Sequence, residues 1–171
     1  VTSALSAFSA PEKTTEERIE ELEDQEFQLL RMQQNMMEVA KHGDIIGIDT
    51  SKHDEWFIIY SQDDGEVCRL MAASCQKAFR GSWDASIHAT YKSESIHIDD
   101  IRGEPNAGMG SVLVSFLKQY AIDQNVPKIE GKLAERDWDH VDRLIHFYEK
   151  HEFDVHVDYR NKEGHLKWAA N

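Results

Sequence analysis

The residues with most to offer chemically lie in one stretch, Ser95-Ile-His-Ile-Asp-Asp-Ile-Arg-Gly-Glu-Pro-Asn-Ala-Gly-Met-Gly-Ser-Val-Leu-Val-Ser-Phe-Leu-Lys-Gln-Tyr120. Ile96, Ile98 and Ile101 suit a strand, and Gly103 to Gly110 break it. Val112, Leu113, Phe116, Leu117 and Tyr120 then recur at helical spacing. A glycine-lined start to a helix leaves several backbone N–H groups without intrahelical acceptors, at the positive end of the helix dipole. Such a place holds anions, most often phosphate.

Three phosphate loops compete for these residues. In a P-loop the glycine pair is followed by Lys and then Ser or Thr. Gly103 and Gly108 have the glycine spacing, but Met109 stands at the lysine and Gly110 at the hydroxyl. Without that cation nucleotide hydrolysis lacks charge stabilisation, and the reading fails. A dinucleotide loop finds Gly108-Met-Gly110 before a helix and Glu130 about twenty residues on. Leu113 replaces its third glycine, and an irregular turn separates strand from glycines, so it stays a minor alternative. The third is a coenzyme A pyrophosphate loop, and the downstream chain favours it.

Val126-Pro-Lys-Ile-Glu-Gly-Lys-Leu133 reads as a further strand. Asp137 to Phe153 follows as a helix that ends in Phe147-Tyr148-Glu149-Lys150-His151-Glu152-Phe153. This run resembles the Phe/Leu-Tyr-x-Lys-x-Gly-Phe ending of a helix in the GNAT N-acetyltransferase family. The order strand, glycine turn, helix, strand, helix, strand is similar to that family's core over roughly residues 94 to 160. Two positions depart from the pattern: Pro105 stands where the family's loop carries Arg or Gln, and Glu152 where the glycine precedes the last Phe.

The resemblance implies an acetyl-CoA-dependent transfer of an acetyl group to a primary amine, by direct attack on the thioester. It assigns backbone N–H groups from Asn106, Ala107, Gly108, Met109, Gly110 and Ser111 to the pyrophosphate. Ile101 and Gly103 would hold pantetheine as an added strand, and one strand amide would stabilise the oxyanion. Tyr148 is the implied acid for the departing thiolate; the bland alternative is a core tyrosine. An amine arriving protonated needs a base. Asp99 and Asp100 end the strand and on an ideal strand face opposite sides, so at most one enters a cleft. Asp100 is the choice, with a nearby bulge able to reverse the faces, and Glu135 acting through water is a further candidate. For any one of these acids a solvated strand end is the simpler account. Asp137 or Asp139 is a natural N-cap, and Trp138, His140 and Arg143 are candidates for an acceptor cleft. The histidines show no metal-binding spacing, so no metal is expected.

Other elements must position this centre. Ile45 to Ile48, Glu55 to Tyr60 and Glu66 to Met71 alternate as strands, with a Gln62-Asp-Asp-Gly65 turn. Ala72 to Phe79 has no clear period and leaves a short helix open. Ala85 to Tyr91 should pair with Ser95 to Ile101, and Phe153 to Tyr159 with Gly164 to Trp168. The expected fold is α+β: a mixed, mostly antiparallel central sheet flanked by helices. Residues 1–13 read as a flexible tail and 43–171 as the acyl-CoA-binding domain. Between them, 14–42 is a long charged helix capped by Thr14 or Thr15 and stopped by Gly43. Ile19, Leu22, Leu29, Met36 and Ala40 keep an a/d rhythm, with Glu26 and Gln33 in the other a slots. The helix either packs on its own domain or forms an arm that makes a homodimer or docks a partner.

The 171 residues suffice for one domain and an appendage. A net charge of -13 argues against a nucleic-acid partner, because phosphates would be repelled. No apolar run is of membrane-span length and residues 1–10 lack a basic leader segment. With Cys68 and Cys75 read as reduced thiols, the expectation is a cytoplasmic protein without a membrane partner. Two readings from other classes remain: a coenzyme A-binding regulator or adaptor without turnover, and a helix-driven scaffold.

Overall fold

The computed structural model describes residues 11–104 and 107–171. A helix α1 (Thr15–Val39) leads into five strands, β1 (Asp44–Thr50), β2 (Trp56–Asp63), β3 (Val67–Ser74), β4 (Ala85–Tyr91) and β5 (Ser95–Arg102). Helix α2 (Met109–Asp123) crosses to β6 (Lys128–Leu133), a 3₁₀ turn (Glu135–His140), α3 (Val141–Lys150), β7 (Asp154–Asp158) and β8 (Glu163–Ala169). The strands form one sheet in the order β1-β2-β3-β4-β5-β6-β8-β7. Every neighbouring pair is antiparallel except β5 and β6, the two strands that α2 connects. The α+β reading holds.

Strand β2 is apolar at consecutive positions because both its faces are covered, as buried strands require. Phe57 and Ile59 join Leu70, Ile87, Ile96 and Ile98 under Leu113, Val114, Leu117 and Ala121 of α2. Ile58 and Tyr60 face the other way, packing with Met71, Phe79 and Val39 of α1 in a smaller cluster. Gly47 lets α2 cross the edge of the sheet: a Cβ there would lie 2.4 Å from the Phe116 ring.

Two local expectations are corrected. Ala72 to Phe79 contains no helix; β3 continues to Ser74 because Ala72 pairs with Ile59 on one side and Ala85 on the other. The helix expected from Asp137 starts four residues later. The Asp137 carboxylate accepts the Ala134 N–H at 2.8 Å and closes a 3₁₀ turn, so neither Asp137 nor Asp139 caps α3, whose N-cap is His140.

Helix α1 divides into two parts. Thr14 and Glu17 form a reciprocal cap at its start, and the Gly43 N–H bonds the Val39 carbonyl past its end. Residues 15–30 are exposed on every side. The last turns dock: Val39 is buried, and Asn35 donates to the Lys77 carbonyl at 2.8 Å while accepting the Phe79 N–H at 2.9 Å. These bonds satisfy an amide that burial would otherwise penalise.

Candidate active site

Strands β5 and β6 pair only from Ser95–Lys128 to Ile98–Gly131. Beyond Ile98 they part, and β5 remains paired to β4 alone, leaving one edge of Asp99 to Arg102 open. The gap widens into a cleft of about 580 Å³, within the range of small-ligand sites. Its walls are the end of β5, the start of α2, the end of β6, the 3₁₀ turn and α3.

At the floor, Gly108 is the N-cap of α2 with φ 79°, a left-handed conformation that only glycine adopts without strain. A side chain here would also approach Lys52 at 3.6 Å. The first intrahelical bond of α2 is Val112 N–H to Gly108 carbonyl, so the donors ahead of it lie at the glycine end, where Gly108, Gly110 and Ser111 line the cleft. Gly110 gives α3 room: its missing Cβ would touch Phe147 at 3.4 Å. Ser111 Oγ lies 2.9 Å from His151 Nε2, joining the first turn of α2 to the end of α3. Burial, and then Lys118 and Lys150, push the His151 imidazole below its ordinary value.

The cleft gathers cations in an acidic chain. Lys52, Arg102, Lys132, Arg136, Arg143 and Lys150 line it against Asp99, Asp100, Glu104 and Asp137. Six cations against four carboxylates make it locally positive, while the whole protein carries -13. Helix dipole, backbone donors and this basic lining all favour a polyanion. A phosphorylated carrier with an extended amide arm fits the residues present: donors and cations for the phosphates, and the open edge of β5 for the arm.

Tyr148 forms part of the opposite wall and is 6% exposed. Its ring packs edge-on against Phe147 and Phe153. Burial, aided by the negative charges of Asp137 and Asp100, raises its hydroxyl well above the ordinary phenol value. The group therefore keeps its proton throughout the neutral range.

Several predicted residues converge on the cleft: Tyr148, Asp100, Ile101, Gly103, Gly108, Gly110 and Ser111. Others do not. Met109 turns its side chain into the core, and Ala107 packs against that core, so only their backbones are available to a ligand. Asn106 and Pro105 lie outside the described residues. Glu135 is corrected: its side chain is 80% exposed, 3.7 Å from Lys162, and does not line the cleft, because the 3₁₀ turn carries it outward. Trp138 packs on Tyr159 instead, while Arg143 does line the cleft.

The two strand-end acids also differ from expectation. The β4–β5 register jumps from Ala89–Ile98 to His88–Asp100, which makes Asp99 the extra residue of a bulge. Both acids consequently border the cleft. Asp99 is held by Thr90 Oγ1 at 2.5 Å and His97 Nδ1 at 3.3 Å, and Asp100 by Arg102 Nε at 2.6 Å. The sequence reading missed Lys52, Lys132, Arg136 and Lys150 as residues of the cleft. They are spread over the chain and share no motif; only the folding of four elements around one gap collects them.

No family profile matches the chain. It is 51% identical over 162 residues to the uncharacterized protein YocC of Bacillus subtilis, covering 95% of this chain and 98% of YocC. Among solved structures, a Klebsiella pneumoniae protein described as an acyl-CoA N-acyltransferase superposes with a TM-score of 0.50. The match covers 63% of this chain and 75% of that one at 11% identity, and speaks to the fold alone. A Bacillus anthracis protein described as a streptothricin acetyltransferase, solved with acetyl coenzyme A, aligns at a TM-score of 0.47 and 16% identity over 75% of this chain and 83% of that one.

Proposed function

This chain belongs to the family of YocC and carries the GNAT fold, and on that premise we propose that it is an acetyl-CoA-dependent N-acetyltransferase acting on a primary amine. The observation that carries the reading is Tyr148: a buried phenol, protonated at neutral pH, in the wall of a basic cleft whose floor is the glycine start of α2.

Acetyl-CoA would supply the activated acyl carbon. Backbone donors from Gly108 to Ser111 would hold its phosphates, with Lys52, Arg136, Arg143 and Lys150 neutralising the remaining charge. The open edge of β5 at Ile101 and Gly103 would bind the amide arm as an added strand. Asp100 would take a proton from an incoming ammonium, with Arg102 orienting its carboxylate. Tyr148 holds a proton at its hydroxyl for delivery into the cleft. Phe147 and Phe153 keep that ring in place and exclude water from its inner side.

Calorimetric titration with acetyl-CoA, with NADH as control, tests the binding half of this reading. Saturable binding of acetyl-CoA and none of NADH is expected. An amine screen then tests turnover: Tyr148→Phe should lower kcat by roughly 10²–10⁴-fold and leave the acetyl-CoA Kd within about twofold, the hydroxyl being needed for transfer and not for holding phosphate. Tighter binding of NADH would overturn the proposal. A second reading, a coenzyme A-binding regulator without turnover, is favoured by one observation: Asp100 is already engaged by Arg102 at 2.6 Å. Binding without transfer to any amine would select it.

A further inference from the structure

Helix α1 carries an unpartnered apolar face with a definite pattern. At 100° per residue, Ile19, Leu22, Leu29, Leu30 and Met37 fall within an arc of about 100°, the width of a packed stripe. Each is at least half exposed. The side of the helix that meets the body, Asn35, Met36 and Val39, is centred about a third of a turn away, with Met36 at its edge beside Leu29. Phe27 is off the stripe and sits under the Arg31 guanidinium, 5.2 Å from ring centroid to Cζ. Two polar residues, Glu26 and Gln33, interrupt the stripe.

We propose that two copies of the chain pair through this stripe as an antiparallel helix pair, with the two-fold axis between Leu29 and Leu30. Around that axis every apolar residue meets an apolar one: Leu29 faces the partner's Leu30, Leu22 the partner's Met37, and Ile19 the partner's Ala40. The two interruptions meet each other, Glu26 accepting from the partner's Gln33, so no polar group is buried alone. The interface is isologous and closes at two copies. The occupant of the stripe is therefore a second copy of this chain.

Charge sets the direction. Residues 15–28 hold Glu16, Glu17, Glu20, Glu21, Glu23, Asp24 and Glu26 against Arg18, seven minus charges and one plus. Residues 31–43 hold Arg31 and Lys41 against Glu38, a net +1. A parallel pair would lay one acidic half along the other, with repulsion between the two helices over that length. An antiparallel pair lays each acidic half beside the slightly basic half of its partner. The bodies then sit at opposite ends of the pair, each docked on a side of its own helix centred away from the stripe.

The test uses the full chain at about 50 µM. Light scattering on a sizing column should report twice the chain mass, and Leu29→Asp should return it to one. Residue 29 is 65% exposed, so the thermal transition of the sheet should survive that change, and Leu22→Glu serves as a second disrupting variant. Direction is read by mild oxidation in a Cys75→Ser background. Leu22→Cys combined with Met37→Cys should cross-link to a covalent dimer, while Leu22→Cys alone should not. A monomer at this concentration, including one that binds some other protein through the stripe, overturns the proposal. So does a dimer that survives both disrupting variants, or cross-linking by Leu22→Cys alone.

Discussion

The two ends of α2 are built to opposite rules. At the C-terminal end polar groups find partners within the protein. The Val126 N–H returns to the Ala121 carbonyl at 2.8 Å, and Gln119 reaches Asp123 at 2.9 Å. Tyr120 donates to Asp63 Oδ2 at 2.6 Å, and Tyr91 donates to the same oxygen at 2.5 Å, latching helix, hairpin and β4 together. At the N-terminal end Gly108 offers no side chain to cap the helix, and the first-turn donors lie at a basic cleft. One end spends its polar groups on the fold; the other leaves its backbone donors facing the cleft. The lesson is that an anchored end permits an open one, because the crossing helix must be held somewhere before its start can be left exposed.

Four changes break or sharpen this contrast. The largest effect should come from Gly108→Val, which puts a β-branched residue at a left-handed position and thickens the cleft floor. Acetyl-CoA Kd should rise at least about tenfold, or 1.4 kcal/mol, and unfolding should come earlier by about 1–2 kcal/mol; calorimetry and a denaturant titration read the two parts separately. If the donors at the start of α2 bind nothing, only the stability will change.

Asp63→Ala should do the reverse. Losing a carboxylate that accepts from two phenols should cost about 1 kcal/mol, at the low end for a charged acceptor because Asp63 is exposed, with acetyl-CoA affinity within about twofold of the parent. The latch is also pH-dependent. Burial opposes the charge on Asp63, but the two phenols and the Gly65 N–H outweigh it and hold the carboxyl below 3.8. Its contribution is present above that value and lost as pH falls through the depressed one. Burial and then Asp63 raise both tyrosines above 10.0, so their share is present below that value and lost as pH rises further. A stability profile of Asp63→Ala should therefore lose the acid limb and keep the part of the alkaline limb that burial of the two tyrosines supplies.

Next comes Glu152→Gly. Glu152 has φ 65°, the left-handed conformation that explains a glycine at this point of the helix ending. Removing the side chain should stabilise by about 0.5–1 kcal/mol, read as a shift of the denaturation midpoint. The smallest effect belongs to His151. Its imidazole is held below 6.5 in the folded chain, so its contribution is full above 6.5 and declines as pH falls through the folded value. His151→Gln should flatten the stability profile on that acidic side and shift acetyl-CoA binding only slightly.

Much of the fold was legible because the signals were local. The period-two runs became β1 to β5, the glycine break placed the start of α2, and Thr14 or Thr15 marked the start of α1, where the structure has Thr14 as the cap. The errors share one cause, a side chain or neighbour unseen at the level of local pattern. Asp137 bonded backward to Ala134 and delayed α3; Ala72 was claimed by strands on both sides. At the site, the glycines were readable from their place ahead of a helix, while Tyr148 was reached only through the resemblance of its helix ending. The bulge at Asp99, which brings both acids to the cleft, exists only in the pairing of β4 with β5.

The sequence by itself determined most segments of helix and strand, and where a helix could begin on glycine, since both follow from side-chain period and backbone freedom within a few residues. Only the tertiary structure decided that β5 and β6 part after Ile98, and that cations as distant as Lys52 and Lys150 meet in the gap. Strand divergence and charge convergence depend on the packing of α2 and α3 against the whole sheet, a long-range balance that no local run of residues encodes.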